Sequence, residues 1–432
     1  MLNLSDHLFL RLKNKLHRKI EKMKNSILKF LLNFVLVLFF GMIVSAQHSN
    51  FKALNVAIQT LQKQLVPDKR VAILDVSIAD TLKSPVTVRG ETNLPEGESA
   101  VLELLKNQGI HFADSIKVFP VVSLGEKTWG LVTLSVINLR SQPDHPAEMV
   151  SQALMGTPLK VLESLNGWYH VQTPDQYLGW MEGNGLVSLT SDEMDRWKKS
   201  DRFVYNRISG KAMDSPNRKG MAVTDLVLGD LFEKQSEVKG FLKIRLPDGR
   251  TGFVRKSECI SWLEWTTRKP DVQAMISIAR QMLGTPYLWG GTSTKGVDCS
   301  GFTKNSYYSQ GIILARDASQ QARYGEHPDF NNMEALQPGD LLFFGRNAQR
   351  VTHVGLYMGN GKFIHSSGLV RINSLDPNDP VYNETLKKKL VASGRILNSL
   401  NTEGIMLVKD HPWYNSLPQT PSVRRRGLKG SR

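Results

Sequence analysis

The spacing of apolar residues changes twice along this chain, and the changes divide it into three kinds of region. The first part mixes helical spacing with short apolar runs typical of buried strands, which predicts helices at residues 54–61 and 96–105 and strands at 71–76 and 129–137. From about residue 138, short stretches alternate apolar and polar positions between turn residues, which predicts β-structure. From residue 267, helices and strands follow one another again. We therefore expect a multidomain α+β protein.

The middle part contains an internal repeat. Nine residues recur after a constant interval of 73 positions: Pro143, Gly156, Gly167, Trp168, Val171, Pro174, Asp175, Gly179 and Trp180 correspond to Pro216, Gly229, Gly240, Phe241, Ile244, Pro247, Asp248, Gly252 and Phe253. Short strands, a Pro-Asp turn and a Gly-aromatic ending predict two small β-barrels, at residues 138–200 and 201–266. Glu148 corresponds to Met221 and Tyr177 to Arg250. A shared fold requires neither Glu148 nor Tyr177, so both are candidates for a function specific to the first barrel.

The last part is predicted to be one domain at residues 267–412, followed by a disordered basic tail at 413–432. A helix at 272–283 ends at Gly284, and a second helix, at 300–310, follows Cys299 directly and ends at Gly311. Strands are predicted at 341–344, in a hairpin of 351–358 with 362–365, and near 390–396.

The N-terminus is predicted to be a secretory signal peptide covering residues 1–46. Its apolar run at 27–44 follows lysines and ends in small residues, which suits cleavage after Ala46. Met23 is an alternative start. A membrane-spanning helix remains an alternative interpretation, because the run is near the lower length limit for spanning. Cleavage would leave a small α+β domain of unknown role at 47–137 in an exported protein, periplasmic or secreted, without a membrane span.

The formal net charge of +15 does not indicate nucleic-acid binding. Residues 1–46 carry +6 and the tail from Arg424 carries +5, which leaves +4 for the folded body. A nucleic-acid interface needs a basic face on the fold itself. We therefore expect no nucleic-acid partner, and the tail is suited to contact with anionic envelope polymers. We also expect a monomeric protein.

One cysteine and two histidines form the candidate catalytic set. Cys299 opens a predicted helix, and His353 and His365 follow in the predicted hairpin. Asp298 is well placed as the N-cap, and the positive end of the helix dipole favours the thiolate form of Cys299. His353 is then the general base and acid, and His365 orients its ring. The Cys299 backbone N–H and Tyr287 are candidate oxyanion donors.

The register of the hairpin decides whether the two histidines can act together. A two-residue Asn360-Gly361 turn would put His353 and His365 on opposite faces. A three-residue loop that begins at Gly359, with Gly361 in the left-handed region, makes the two histidines diagonal neighbours by pairing residue 355 with His365. We predict the three-residue loop. Histidines on opposite faces would exclude this mechanism.

Two structural uses of the same residues compete with catalysis. A cysteine and two histidines could bind zinc, although the only further ligands nearby are the weak candidates His327 and Asp340. Cys259 and Cys299 could form a disulfide in an oxidising compartment. Against this, Cys299 lies in a motif and Cys259 ends a different module. We therefore predict neither a metal ion nor a cofactor.

The motifs of the last domain resemble those of a known family. Tyr-Leu-Trp-Gly-Gly, Asp-Cys-Ser-Gly-Phe, Thr-His-Val-Gly-Leu-Tyr and Phe-Ile-His occur in this order within residues 270–400, which is similar to the NlpC/P60 family of cell-wall cysteine peptidases. The resemblance implies a papain-like NlpC/P60 catalytic domain. The stretch Gly-Trp-Tyr-His-Val-Gln-Thr-Pro-Asp in the first repeat resembles bacterial SH3-type domains, so two SH3-like β-barrels are expected ahead of it. The combination resembles the dipeptidyl-peptidase VI branch, whose members cleave γ-D-glutamyl–diamino acid bonds in murein peptides with a free N-terminal L-alanine.

The resemblance also implies substrate contacts. Asp317 is similar to the aspartate that meets the substrate amine, Glu148 resembles a second carboxylate supplied by the first barrel, and Tyr177 resembles the aromatic contact of that barrel. At Ala318 relatives often carry serine, so one hydrogen bond to the substrate would be missing. The further residues expected to bind substrate belong to the matching motifs: Tyr287, Trp289, Asp298 and Ser300.

Three functions follow as hypotheses. The first is a secreted cysteine peptidase that hydrolyses the γ-D-glutamyl–L-diamino acid bond of murein peptides. The second is an endopeptidase on intact murein, with the barrels as wall anchors. The third is a wall-binding protein with a silent catalytic domain, against which the complete set of Cys299, His353 and His365 argues.

Overall fold

The computed structural model describes residues 51–79, 84–217 and 219–415, together with Lys22. The rest of the predicted signal segment and most of the predicted basic tail lie outside the described residues. Within the described ranges, no helix is long and apolar enough to cross a membrane. The described chain forms two compact units: the first combines residues 51–67 with 73–118, and the second combines 68–72 with 119–415.

In the ranges that the structure describes, the first unit contains two helices and a three-stranded sheet. Its elements are helix α1 at residues 51–65, strands β1 Leu74–Ala79 and β2 Val86–Thr92, helix α2 Pro95–Asn107 and strand β3 Phe112–Val118. Strand β1 is antiparallel to β2, and β3 is parallel to β2. Because parallel neighbours need a crossover connection, α2 links β2 to β3. Both helices predicted in this part of the chain are present.

The first unit ends earlier than the sequence pattern indicated. We placed its end at residue 137 and gave it a strand at 129–137. In the structure that stretch contributes to two strands of the second unit, β4 Trp129–Val132 and β5 Val136–Arg140. An apolar pattern reveals that a strand is buried but not which sheet it joins, and β4 pairs with the first repeat, Gly130 opposite Leu159.

The second unit begins with a seven-stranded antiparallel sheet, called here the first barrel sheet. After β4 and β5 come β6 Met149–Leu154, β7 Pro158–Leu165, β8 Trp168–Gln172, β9 Leu178–Glu182 and β10 Leu186–Leu189. The strand order is β10-β4-β7-β8-β9-β5-β6. Its side chains enclose a core that includes Leu139, Val161, Val171 and Met181.

Helix α3 Ser191–Lys199 leads to a second sheet of seven strands, the second barrel sheet. Its strands are β11 Arg202–Tyr205, β12 Ser209–Met213, β13 Ala222–Val227, β14 Leu231–Val238, β15 Phe241–Arg245, β16 Thr251–Arg255 and β17 Cys259–Ser261. The order β17-β11-β14-β15-β16-β12-β13 repeats that of the first sheet strand for strand. Every strand starts 73 residues after its counterpart, as Trp129 and Arg202 illustrate at the first strands. The interval seen in nine residues therefore extends over both sheets.

The rest of the second unit mixes helices with strands. Its helices are α4 Trp262–Thr267, α5 Val272–Gln281, α6 Cys299–Tyr308, α7 Ala318–Gln321 and α8 Glu384–Lys389. Two short strand pairs join β18 Thr292–Ser293 to β19 Gly296–Val297 and β20 Ile312–Leu314 to β26 Ile405–Leu407. The main sheet contains β21 Leu341–Gly345, β22 Val351–Gly359, β23 Lys362–Ser367, β24 Leu369–Ser374 and β25 Leu390–Gly394, in the order β24-β23-β22-β21-β25.

Strand β21 is buried on both faces. Leu341 and Phe343 belong to the core shared with α5 and α6, whereas Leu342 and Phe344 belong to a second core on the other face. Successive side chains of a strand point to opposite faces, which explains the continuous apolar run. The first of these cores also contains Cys299 of α6 and Val354 of β22. It therefore fixes the start of α6 against the strand that carries His353.

Candidate active site

Cys299 is the first residue of helix α6, as the sequence predicts. The carboxylate of Asp298 caps the helix by accepting a hydrogen bond from the Gly301 N–H at 2.7 Å. Gly301 has a steric reason to be glycine, because a Cβ there would lie 1.9 Å from the carbonyl oxygen of Gly291. The loop before the helix can thus approach its first turn closely.

Asp298 is fully engaged within the protein. Its oxygens also accept hydrogen bonds from the Gly290 N–H at 3.0 Å, from the Ser300 hydroxyl at 3.1 Å and from Arg316 at 2.6 and 3.2 Å. Arg316 is 1% exposed and donates to the Ser300 hydroxyl as well. We predicted Asp298 and Ser300 as substrate-binding residues. Their polar atoms are already paired, so the geometry favours a supporting role for both.

The thiol of Cys299 is buried beside strand β22. Val354, the residue after His353, belongs to the same apolar core as Cys299. Burial and then the negative charge of Asp298 raise the pKa of the Cys299 thiol to about 12, although Val354 and Arg316 act in the opposite direction. The sequence led us to expect a thiolate at the helix terminus. The structure instead favours a protonated thiol before substrate binds.

The hairpin of β22 and β23 has the predicted register but not the predicted loop. Leu356 pairs with Ile364, so the next pair along the ladder is residue 355 with His365, and both histidines lie on one face. The tip is nevertheless a two-residue turn, Asn360-Gly361, closed by the pair at residues 359 and 362. A bulge before residue 359 supplies the one-residue shift that we assigned to a longer loop. The loop prediction is wrong, and the register prediction is confirmed.

A chain of hydrogen bonds fixes the proton positions on the two histidines. Nε2 of His353 lies 2.7 Å from Nδ1 of His365, and Nε2 of His365 lies 2.9 Å from Oδ1 of Asn373. The amide nitrogen of Asn373 donates to the Val381 carbonyl at 3.0 Å, and a carbonyl can only accept. His365 therefore carries its hydrogen on Nε2 and accepts on Nδ1 from Nε2 of His353. This leaves Nδ1 of His353 free to accept a proton.

Both histidines are neutral in this environment. Burial, followed by the neighbouring His365, lowers the pKa of His353 to about 3. Burial also lowers the pKa of His365, although its hydrogen bond to Asn373 acts the other way. The rings of Phe344 and Phe363 pack beside the pair, at 5.7 Å from His353 and 5.0 Å from His365 respectively. The base at this site is thus a neutral imidazole at neutral pH.

A cleft of about 390 Å³ opens beside Cys299, a size that suits a small peptide. Val351 and Thr352, next to His353 in β22, form part of its wall. The structure places eight of the sequence-predicted site residues along the cleft: Glu148, Tyr177, Tyr287, Trp289, Asp298, Cys299, Ser300 and Asp317.

Asp317 lines the cleft together with Tyr177, which comes just before β9 of the first barrel sheet. The Tyr177 hydroxyl donates a hydrogen bond to Oδ2 of Asp317 at 3.0 Å, and Nη1 of Arg70 donates to the same oxygen at 2.8 Å. Tyr177 is 6% exposed, and burial followed by the charge of Asp317 raises its pKa. The repeat comparison that singled out Tyr177 therefore identified a residue of the cleft.

Glu148 and Trp289 form a second polar contact in the cleft wall. The indole Nε1 of Trp289 donates to Oε1 of Glu148 at 2.7 Å. Trp289 is nevertheless 62% exposed, which is unusual for so large an apolar side chain. Tyr287 is partly buried, and burial followed by the nearby Cys299 raises the pKa of its hydroxyl. All three residues are thus available to a molecule in the cleft.

The two competing uses of the catalytic residues find no support in the geometry. Both cysteines are free, Cys259 partly buried and Cys299 buried. Among the described residues, no group of three or more His, Cys, Asp or Glu side chains is placed to hold a metal ion. The direct contact between the rings of His353 and His365 also leaves no space for a metal between the facing nitrogens.

Sequence reasoning missed Arg70 and Asn373. Arg70 meets Asp317 across 247 positions of sequence, and no local pattern signals such a pair. The position of Asn373 could have been predicted from the sequence, because Asn373 follows His365 by eight residues in the next strand of the sheet. Extending the alternation analysis from the hairpin to β24 would have placed Asn373 near that histidine.

Comparisons with known proteins agree with this arrangement. Residues 284–395 match the model of the NlpC/P60 family, and residues 139–186 match that of the bacterial dipeptidyl-peptidase Sh3 domain. Dipeptidyl-peptidase 6 of Lysinibacillus sphaericus is 30% identical over 285 residues, which cover 62% of this chain and 98% of that protein. A γ-D-glutamyl-L-lysine dipeptidyl-peptidase of Bacillus subtilis is 32% identical over 50% of this chain and 71% of its own length.

A solved structure extends the similarity to the fold. The crystal structure of an NlpC/P60 family protein from Bacillus cereus has a TM-score of 0.54 and 24% identity, and the match covers 62% of this chain and 99% of that one. The second unit thus combines a peptidase domain with a bacterial SH3 domain. The chain belongs to the NlpC/P60 family.

Proposed function

We propose that this protein is a cysteine peptidase that hydrolyses the γ-D-glutamyl–L-diamino acid bond of murein-derived peptides with a free N-terminal L-alanine. The observation that carries the proposal is the set of residues that line one cleft. Cys299, Asp317 and Glu148 all line the cleft, and so do Val351 and Thr352 of the strand that carries His353. A cysteine with a neutral imidazole base suits acyl transfer, and two carboxylates suit a substrate ammonium.

The first half of the reaction forms an acyl-enzyme. Nδ1 of His353 takes the proton of the Cys299 thiol as the sulfur attacks the carbonyl carbon of the scissile amide. Because the pKa of the thiol is raised and that of His353 is lowered, proton transfer accompanies attack and does not precede it. The tetrahedral oxyanion is stabilised by the Cys299 N–H and the Tyr287 hydroxyl. His353 then gives its proton to the departing amine, and a thioester remains.

The second half regenerates the enzyme. Water attacks the thioester carbonyl while Nδ1 of His353 accepts a water proton, and the carbon–sulfur bond breaks. The thiolate recovers its proton from His353, and the L-alanyl-D-glutamate part leaves with a new carboxyl group. His365 and Asn373 hold the His353 ring in the required tautomer throughout, through the hydrogen bonds described above.

The domain assignment and the location are part of the same proposal. The second barrel sheet is a second SH3-like barrel, supported by its strand order and by the 73-residue interval. The predicted signal segment supports export to the periplasm or the medium, where murein peptides occur. We further propose that the protein is a monomer without a nucleic-acid partner.

The test is hydrolysis of L-Ala-γ-D-Glu-L-Lys and its diaminopimelate counterpart, followed by identification of both products. Wild-type protein should release L-Ala-D-Glu from at least one of them, and Cys299→Ala should lose all measurable turnover while keeping its melting temperature. Cys259→Ala is the matched control, because the chain has only these two cysteines and Cys259 is not among the residues that line the cleft. Turnover by Cys299→Ala, or cleavage at another bond, would refute the proposal.

A further inference from the structure

Arg70 belongs to a short segment that is fixed to the first barrel sheet. Its carbonyl oxygen accepts a hydrogen bond from the Leu178 N–H at 2.9 Å, and the carbonyl of Val71 accepts one from the Gln172 side chain at 2.8 Å. Leu178 begins β9 and Gln172 ends β8. The backbone of residues 68–72 therefore runs along the sheet that supplies one wall of the cleft, and Arg70 itself lines the cleft.

The guanidinium of Arg70 bridges two carboxylates. Its Nε and Nη2 donate to the two oxygens of Asp68 at 2.8 and 2.7 Å. Its Nη1 donates to Oδ2 of Asp317 at 2.8 Å and to the Ser319 hydroxyl at 3.2 Å. Asp68 is held from the other side by the Gln320 amide at 3.0 Å. Burial alone would raise the pKa of Asp68, but these hydrogen bonds lower it to about 2. The carboxylate that holds Arg70 therefore stays charged.

This geometry puts a positive charge where a substrate ammonium would bind. Oδ2 of Asp317 already accepts hydrogen bonds from Arg70 and Tyr177. An incoming ammonium must share that carboxylate with the guanidinium and lie close to a like charge, which is unfavourable at short range. A peptide whose N-terminus is acylated carries no such charge and meets no such repulsion.

Arg70 does not present a free binding surface for an anionic group. Four of its five N–H hydrogens point at Asp68, Asp317 and Ser319. A substrate carboxylate would have to displace one of these contacts. The arrangement thus acts on the charge of Asp317 and does not create a separate anion site.

We propose that Arg70 is a specificity-determining residue that weakens the preference of the site for a free α-ammonium over an N-acylated terminus. The proposal deepens the proposed function and rests on its assignment of Asp317 to the amine end of the substrate. The contact in question joins Arg70, in the segment 68–72 that precedes the first barrel sheet, to Asp317.

The experiment compares kcat/KM for L-Ala-γ-D-Glu-L-Lys and for its N-acetylated form. In Arg70→Gln, the ratio of free to acetylated peptide should rise at least tenfold over wild type, mainly through a lower KM for the free peptide. Arg70→Lys keeps the positive charge and should stay within about threefold of the wild-type ratio. If Arg70→Gln does not fold, Arg70→Met is measured in its place.

The matched control is Arg323→Gln. Arg323 also approaches Asp68, at 3.5 Å, but it is not among the residues that line the cleft. Its substitution should leave the ratio unchanged. An unchanged or lower ratio in Arg70→Gln, or an equal rise in Arg323→Gln, would overturn the proposal.

A binding measurement separates this proposal from the proposed reaction. In full-length protein carrying Cys299→Ala, addition of Arg70→Gln should tighten binding of the dipeptide L-Ala-γ-D-Glu about tenfold by calorimetry and leave binding of its N-acetyl form unchanged. This result needs no turnover, so it can hold even if the wild type cleaves neither peptide. Equal affinities in the two proteins would remove the role of Arg70 and leave the reaction untouched.

Discussion

The two barrel sheets share a strand order and a constant interval of 73 residues, yet they differ in the residues that they contribute to the cleft. The first sheet, with the loops between its strands, places Glu148, Val150 and Tyr177 in the cleft wall. Among the residues that the structure describes, none from the second sheet lines that cleft.

The equivalent positions of the second sheet have ordinary surface roles. Met221, the counterpart of Glu148, is 76% exposed. Arg250, the counterpart of Tyr177, is exposed and pairs with Asp248 at 2.7 Å. The fold is therefore preserved without the carboxylate and the tyrosine, and the difference marks residues kept for a contact outside the sheet.

This difference suggests a division of labour within the second unit. In the proposed function, the first barrel sheet selects the substrate through Glu148 and Tyr177, and the hairpin that carries the histidines performs the reaction. Substitutions in the two places should then affect different kinetic constants. Changes in the sheet should act mainly on KM, and changes in the hairpin should act mainly on kcat.

The largest effect is expected from removing both cleft groups of the first sheet. Glu148→Met combined with Tyr177→Phe deletes one carboxylate and the hydroxyl that positions Asp317. Hydrogen bonds to charged groups contribute about 1.5–3 kcal/mol each, so the loss of two should lower kcat/KM for the free-amine peptide at least about 100-fold. Steady-state kinetics should assign most of this loss to KM.

The second sheet supplies the control for that experiment. Met221→Ala combined with Arg250→Ala changes the equivalent positions and should alter kcat/KM less than twofold. A comparable loss from this pair would mean that the two sheets contribute equally, and the comparison would fail.

Local signals explain how much of this site was predictable. The start of α6 was predicted because Asp298, Cys299 and Gly311 lie at the ends of the helix, where capping preferences are strong. The register of the histidine hairpin was predictable from the need to bring His353 and His365 to one face. The bulge that produces this register was not, because sequence alternation does not distinguish a bulge from a longer loop.

A smaller effect is expected from Asn373→Ala in the strand next to the hairpin. The loss of one hydrogen bond lets the His365 ring rotate and disturbs the tautomer of His353, so kcat should fall about tenfold while KM stays within twofold. The nitrogen chemical shifts of the two imidazoles should show mixed tautomers, which a merely structural change would not produce.

Asn378→Ala is the matched control, because its side-chain amide donates to Asp376 at 3.2 Å in an exposed turn. It should leave kcat and the imidazole shifts unchanged. If Asn373→Ala instead raised KM alone, the residue would belong to substrate binding and the division of labour would need revision.

The smallest effect is expected from a change of pH. Between pH 7 and 5, kcat should stay nearly constant both in wild type and in the Glu148→Met/Tyr177→Phe variant. His353 acts as a base only when neutral, and its pKa is lowered to about 3. The rate should therefore change little between pH 7 and 5, whereas a base with the ordinary histidine pKa of about 6.5 would lose roughly 25-fold. A steep loss around pH 6.5 in kcat would contradict the neutral, buried pair.

Unlike the rate, the free energy of unfolding should depend on pH in this range. The folded pKa of His353 lies below its unfolded value, so the unfolded chain takes up a proton that the folded residue does not. Unfolding should become more favourable as the pH falls from about 6.5 towards 3, by about 2 kcal/mol at pH 5 for this residue. Chemical denaturation at several pH values provides the check that the enzyme is folded where rates are measured.

Long-range pairings account for what the sequence did not predict. Arg70 reaches Asp317 from a segment that the pattern assigned to the small N-terminal domain, and strand β4 joins a sheet on the other side of the predicted boundary. Both depend on which surfaces meet after folding. Apolar periodicity reports only which face of an element is buried.

The most direct measurement of the central claim is the site of the acyl group during turnover. Wild-type protein is mixed with excess L-Ala-γ-D-Glu-L-Lys, quenched in acid, digested and analysed by mass spectrometry. We predict an L-alanyl-γ-glutamyl group on the fragment that contains Cys299 and none on the fragment that contains Cys259. Continued turnover with an unmodified Cys299, or the group on another residue, would contradict the account.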